Sequence, residues 1–297
     1  MKKVLCPAII CLLLFLLNSC SAVSGQDNQT QKAKDTLYIQ NKGSDTMVNL
    51  ALAWAEEYQK EQPTVRVSVT GGGSGTGMSA LANNTTDIAN ASRKISKEEL
   101  EEAQKGAYTA VEYVVARDAI GVIVNLNNPI DRLTLEQISM IYKGEINNWK
   151  ELGGEDRPIV RLSRETNSGT HVYFLETVVR LGNSKDKHIF TSDTLLLPSS
   201  EGIISEVSDN PNAIGYDGLG YITPAVKVLA VARDEQGPYV LPSIETVNNN
   251  TYPVSRDLYM YTRNQPQGKV KAYIDWLFTS PAQKIIGDLG FVPLKQN

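Results

Sequence analysis

Two spacings of apolar residues alternate along this chain, and together they predict an α/β protein. Leu37-Tyr38-Ile39 reads as a short strand. Met47, Leu50, Ala51, Trp54 and Tyr58 then recur at helical spacing, with Asp45 or Thr46 placed as N-cap. Val65, Val67 and Val69 alternate as a second strand, broken by three glycines, and from Gly77 the pattern Met78, Leu81 is helical again. Ile88-Ala89 suggests a third strand. Ser96 with Glu99, and Thr134 with Gln137, are capping boxes that each open a helix. Residues 111–115 and 120–125 read as strands on either side of 116–119, a crossing between two lobes. Further strands are expected at 159–162, 213–216, 226–231 and 258–261, and a helix through Val172, Leu175 and Val179. The last helix takes Ser280 as N-cap and Pro281 at its first position, and Gly290 stops it. Trp54, Trp149 and Trp276 are expected in the core.

The N-terminus changes the picture. Lys2 and Lys3 precede an almost wholly apolar run over residues 4–17, short for a membrane span and right for the core of a signal peptide. Leu17-Asn18-Ser19-Cys20 resembles a bacterial lipobox, which implies cleavage before Cys20 and a diacylglyceryl group on its sulfur; the alternative is an ordinary signal peptide cut elsewhere. Residues 1–19 are therefore expected to be a leader, and 20–35 a lipidated cysteine and polar tether. All three cysteines (Cys6, Cys11 and Cys20) lie in this region, which excludes a disulfide framework or a thiolate metal site in the globular part. Without Lys2 and Lys3 the 29 basic residues become 27 against 33 acidic ones, a net charge of −6. Such a chain has no general attraction for nucleic acid, and any anion must be caught by aimed dipoles and one or two cations.

Four polar stretches are candidates for that capture: Gly43-Ser44-Asp45-Thr46, the run from Gly71 to Gly77, the run from Thr86 to Arg93, and Arg164 with Ser168-Gly169-Thr170. The second and fourth run into helical patterns, where unpaired backbone N–H groups and a partial positive charge favour anions. The glycine run is not a P-loop, because Met78 stands where Lys is required. It fits a loose G-x-G-x-x-A dinucleotide pattern without the acidic residue that should follow, or a flexible turn, or a backbone cradle with Ser74 and Thr76 as hydroxyl donors. Asp87 is the odd member. A carboxylate helps only if the anion brings a proton, which phosphate does near neutral pH and sulfate does not. His171 reads more simply as a packed or exposed side chain than as a base. With His188 the only other histidine, a zinc or Ser-His-Asp centre has little support, and no cofactor is expected.

At these residues the chain resembles the PstS family, the phosphate receptors of bacterial ABC importers. The resemblance covers residues 36–297 and rests on the four stretches together with Ile214-Gly215-Tyr216 and Gly290-Phe291-Val292-Pro293-Leu294. It implies the two-lobed type II periplasmic-binding-protein fold, each lobe a mixed sheet flanked by helices, joined by two hinge strands. Lobe 1 would comprise 36–116 and 259–297, and lobe 2 would comprise 117–258. Lobe 1 would supply Thr46, the N–H of Met47, Ser74, Gly75 and Asp87, with Ser44, Ser92 and Arg93 as additions; lobe 2 would supply Arg164, Ser168, Gly169 and Thr170. Many relatives carry an acidic residue two positions after the arginine, where this chain has Thr166, and arginine where it has His171. The implied function is an extracytoplasmic, lipid-anchored receptor on the outer face of the cytoplasmic membrane or in the periplasm or outer membrane. It would bind inorganic phosphate and deliver it to an ABC permease as a monomer, without catalysis. The alternatives are a receptor for another tetrahedral oxyanion such as sulfate or arsenate, or a secreted phosphate-ester or nucleotide-binding enzyme.

Overall fold

Residues 36–294 are described in the computed structural model, so the leader, Cys20 and the tether lie outside the described residues. In chain order, β1 (Leu37–Gly43) passes through a 3-10 turn (Asp45–Met47) into α1 (Val48–Glu61), then β2 (Val65–Thr70), α2 (Ser74–Ala82), β3 (Ile88–Ala91) and α3 (Lys97–Lys105). There follow β4 (Ala110–Asn125), β5 (Arg132–Thr134), α4 (Leu135–Lys143), β6 (Val160–Arg164) and α5 (Gly169–Phe174), the last continued by a π-helical turn over Leu175–Val179. The remaining described strands and α-helices are β7 (Leu195–Leu197), α6 (Ser200–Asp209), β8 (Ala213–Gly218), β9 (Val226–Val228), β10 (Ala230–Ala232), α7 (Ile244–Asn248), β11 (Ser255–Arg263), α8 (Gly268–Leu277) and α9 (Ser280–Asp288). A nine-stranded sheet runs β2-β1-β3-β11-β4-β8-β6-β7, with β9 also on β4, and β10 pairs with β5 apart from it. The outer strands are parallel, as crossover helices require, whereas β11 and β4 run antiparallel through the middle.

Two apolar cores divide along those central strands, giving the two-lobed α/β fold. Ile39, Met47, Leu50, Trp54 and Tyr58 pack with Val115, Ala116, Leu258 and Met260, and with Trp276 of α8. Ala119, Ile120, Val122 and Val254 belong instead to a second core, with Tyr142, Trp149, Phe174 and Tyr216. The changeover falls between Ala116 and Ala119 on β4, and between Val254 and Leu258 beside it. All three tryptophans are buried as expected.

Several local expectations shift. Helix α2 starts at Ser74 rather than Gly77, with Gly73 at φ +90° as its N-cap. Gly77 lies inside the helix because the helix presses on β1: a Cβ there would stand 2.6 Å from the Lys42 carbonyl oxygen. β4 is one strand through 116–119, since β11 pairs with it from Ala110 to Ala119 with a bulge at Val115, and Val292 bonds the Arg117 N–H and carbonyl from the other side. The expected strand at 226–231 is two, divided at Leu229, whose N–H donates to Val122. The α9 cap is Thr279, one residue before Ser280. The capping boxes at Ser96 and Thr134 form as expected.

Candidate functional site

Each central strand carries adjacent opposite charges in an otherwise apolar run: Arg117-Asp118 on β4 and Arg256-Asp257 on β11. The antiparallel register sets Arg256 against Asp118 and Asp257 against Arg117. Because side chains alternate across a strand, one pair faces each way. Arg117 and Asp257 meet at 3.6 Å toward solvent, whereas Asp118 and Arg256 are buried and meet at 2.9 Å. The inner pair lies where the chain passes from one core to the other. Burial, ahead of the opposing pull of Arg256, raises the Asp118 carboxyl to about 6. The same carboxylate accepts from the N–H of Leu219 at 3.1 Å.

Five buried hydroxyls gather over this pair. Ser44 Oγ donates to Ser92 Oγ at 2.8 Å, Ser74 Oγ accepts from the Ser92 N–H at 3.1 Å, and the hydroxyls of Thr46 and Thr170 meet at 2.7 Å. Arg256 donates to the Thr170 hydroxyl at 3.0 Å and to the Ser92 carbonyl at 2.9 Å. Ser44 and Thr46 lie at the end of β1 and in the turn that leads to α1, Ser74 opens α2, and Ser92 follows β3. Thr170 is in the first turn of α5, from the other side of the cleft. Strand ends and helix starts thus converge, the arrangement in which open α/β sheets bind anions. Gly169 permits it: a Cβ there would stand 2.4 Å from Ser74 Oγ and 2.7 Å from Ser92 Oγ. A cavity of about 700 Å³, lined by Arg93, Lys97, Tyr173, Glu176 and Tyr259, reaches this group at Arg256.

Beside it stands a second charged cluster. The buried Arg164 guanidinium donates to Ser200 Oγ at 2.8 Å, to the carbonyls of Pro198 at 2.9 Å and Leu197 at 3.3 Å, and to Asp45 Oδ2 at 2.9 Å. Its Nη1 lies 3.6 Å from Asp217 Oδ2. Burial raises the Asp217 carboxyl despite that neighbour. Three carboxylates (Asp45, Asp118 and Asp217) therefore face two guanidiniums, so a further anion is best received with a proton attached.

Of the residues singled out in the sequence, Ser44, Thr46, Ser74, Ser92, Gly169 and Thr170 come together here. Ser168 is the N-cap of α5, its hydroxyl accepting from the Thr170 N–H. The others are engaged by partners of their own. Asp87 precedes β3, whereas Ser92 follows its end, roughly 16 Å away at strand rise. Its carboxylate accepts from the Gln40 N–H at 2.7 Å and holds β1 to β3. Arg93 turns away to a bidentate pair with Glu99 at 2.6 and 2.8 Å, bracing α3. The Met47 N–H is used inside the 3-10 turn on Ser44 and its side chain is core; the Gly75 N–H donates to the Asn167 carbonyl. Arg164 spends its donors on protein groups and is held by Asp45 and Asp217, not by the exposed Glu165. His171 is packed: Nδ1 donates to the Arg164 carbonyl at 2.8 Å, the ring lies on Phe190, and burial lowers its basicity. Missed from the sequence were Asp118, Arg256, Asp217 and Ser200. The mirrored Arg-Asp pairs within two apolar strands were the signal for the first two.

A family model described as a PBP superfamily domain matches residues 28–281. The phosphate-binding protein PstS of Pseudomonas aeruginosa is 33% identical over 269 residues, covering 85% of this chain and 81% of its own length. PstS of Bacillus subtilis is 32% identical over 265 residues, covering 89% and 82%. Among solved structures, a phosphate ABC transporter substrate-binding protein of Clostridium perfringens with bound phosphate superposes with a TM-score of 0.77 at 31% identity, over 87% of this chain and 100% of that one.

Proposed function

The chain belongs to the PstS family of phosphate-binding proteins, and from that premise we propose that Ser44, Thr46, Ser74, Ser92, Thr170 and Arg256 hold the phosphate between its two lobes. It is an extracytoplasmic receptor that binds inorganic phosphate for an ABC importer, the activity named for its relatives. The observation that carries the site is the gathering of five buried hydroxyls from both sides of the cleft on a buried Arg256. Lobe 1 comprises 36–116 and 259–297 and lobe 2 comprises 117–258; the changeover in packing between Ala116 and Ala119 and between Val254 and Leu258 supports a division close to these bounds, with Leu258 itself packed in the first core. Phosphate touches both lobes, so binding favours closure. The action is reversible capture, with no bond made or broken.

Selectivity for phosphate over sulfate comes from Asp118, not from Asp87. A buried carboxylate among the hydroxyls accepts the proton that phosphate retains, and it repels an anion that has none. Asp118→Asn is therefore expected to lower the phosphate-to-sulfate affinity ratio about a hundredfold, on the order of 3 kcal/mol, by calorimetric titration with each anion. Asp87→Asn should leave the ratio within about twofold, its carboxylate serving the β1–β3 backbone. An unchanged ratio in the first variant, or an equal fall in the second, removes Asp118 from this role.

The mature receptor is a monomer held to the membrane through lipid on Cys20, a proposal supported by the lipobox-like sequence at 17–20. Mass spectrometry of the mature protein should then find Cys20 as the N-terminal residue carrying the added mass of a diacylglyceryl group; an unmodified N-terminus, or one cut elsewhere, would contradict the anchor.

A further inference from the structure

We propose that Asp45 is an interlobe latch, a carboxylate of lobe 1 that engages Arg164 of lobe 2 and holds the cleft closed without any contact to phosphate. The proposal rests on the receptor reading above. Every other polar partner of the Arg164 guanidinium comes from lobe 2: Ser200, Asp217 and the carbonyls of Leu197 and Pro198. Among the described residues Asp45 alone reaches it from across the cleft, at 2.9 Å, with its side chain only 18% exposed. The same carboxylate is fixed in its own lobe, since Oδ1 accepts from the Gly72 N–H at 2.8 Å. Its backbone is tied to the opposite side as well, where the Tyr221 hydroxyl donates to the Asp45 carbonyl at 2.7 Å. Two uncharged contacts sit nearby, from Gly75 N–H to the Asn167 carbonyl and from Asn167 Nδ2 to the Gly72 carbonyl. The ion pair is the charged member of this set, and it forms only when the lobes meet.

A receptor already biased toward closure loses less of its affinity to the closing step. Removing the bias should open the phosphate-free protein while leaving the phosphate-bound form closed.

The test is small-angle scattering of wild type, Asp45→Asn and Asp45→Glu, each with and without inorganic phosphate, alongside calorimetric phosphate affinities. Asn keeps an acceptor for Gly72 and loses the charge; Glu keeps the charge on a longer arm. The expected result is a larger radius of gyration for phosphate-free Asp45→Asn, equal radii for all three with phosphate, and apparent phosphate affinity about tenfold weaker in Asp45→Asn. Asp45→Glu should recover part of the closure. Added KCl should open phosphate-free wild type more than Asp45→Asn, because screening acts on the ion pair. Phosphate-free scattering identical in wild type and Asp45→Asn would overturn the latch, as would equal effects of Asn and Glu, which would mark a structural role in the Gly72 loop. If wild type binds no phosphate yet Asp45→Asn still opens the free protein, the latch stands and the receptor reading falls.

Discussion

Replacing Arg256 with methionine is expected to weaken phosphate binding at least a hundredfold and to destabilise the protein by about 3–5 kcal/mol at neutral pH. Among the described residues Arg256 is the one guanidinium that touches the gathered hydroxyls, at Thr170 and, at 3.5 Å, Thr46. A charge-assisted hydrogen bond contributes about 1.5–3 kcal/mol, so losing such contacts to phosphate accounts for the affinity. The stability loss has a separate cause. Asp118 stays buried with its partner gone, and an unpaired charge there costs far more than the pair itself contributes. Its carboxyl already stands near 6 because burial disfavours the charged form. A carboxyl raised on folding stabilises the fold at low pH and loses that contribution as pH rises through its folded value. Without Arg256 the value rises further, so the deficit of the variant should shrink as pH falls through about 6 and below. Denaturant titrations across that range check the sign. Adding Asp118→Asn should restore most of the stability and none of the binding, which separates the two effects.

Gly169→Ala should produce the opposite combination, a fold as stable as wild type that binds phosphate about a hundredfold more weakly. Gly169 is the first residue of α5 and its φ lies outside the left-handed region, so alanine suits the backbone and improves helix propensity by up to about 1 kcal/mol. The new methyl would stand 2.4 Å from Ser74 Oγ and 2.7 Å from Ser92 Oγ. Those atoms belong to the facing lobe, so the clash acts on closure rather than on either core. Overpacking of this kind costs about 1–3 kcal/mol, enough for the stated loss. Thermal unfolding without phosphate should match wild type while titration shows the weakened affinity; unaltered affinity would mean the lobes do not meet here.

The alternation of spacings along the chain disclosed most of the long elements and the capping boxes at Ser96 and Thr134, because those features are local. β5 and β7 escaped since three residues carry no period. The site was legible in part for a related reason. Ser44, Thr46, Ser74 and Thr170 announce themselves as hydroxyls beside glycines at helix starts, so their role can be inferred from neighbours in sequence. Asp87 and Ser92 read as neighbours because residues 86–93 look like one polar loop, whereas Ile88–Ala91 is a strand that sets them at its opposite ends. Arg256 and Asp118 required strand pairing across 138 positions, which no local pattern supplies. Arg164 looked free to grip an anion because Asp45, its cross-cleft partner, is 119 positions away.

The crystal structure of the protein with inorganic phosphate tests the central claim most directly. Phosphate is expected between the lobes, bonded to Arg256 and to the hydroxyls of Ser44, Thr46, Ser74, Ser92 and Thr170, with Asp118 beside it and Asp87 far from it. Phosphate found on Arg164 or Arg93, with Arg256 still closed on Asp118 and Thr170, would contradict it.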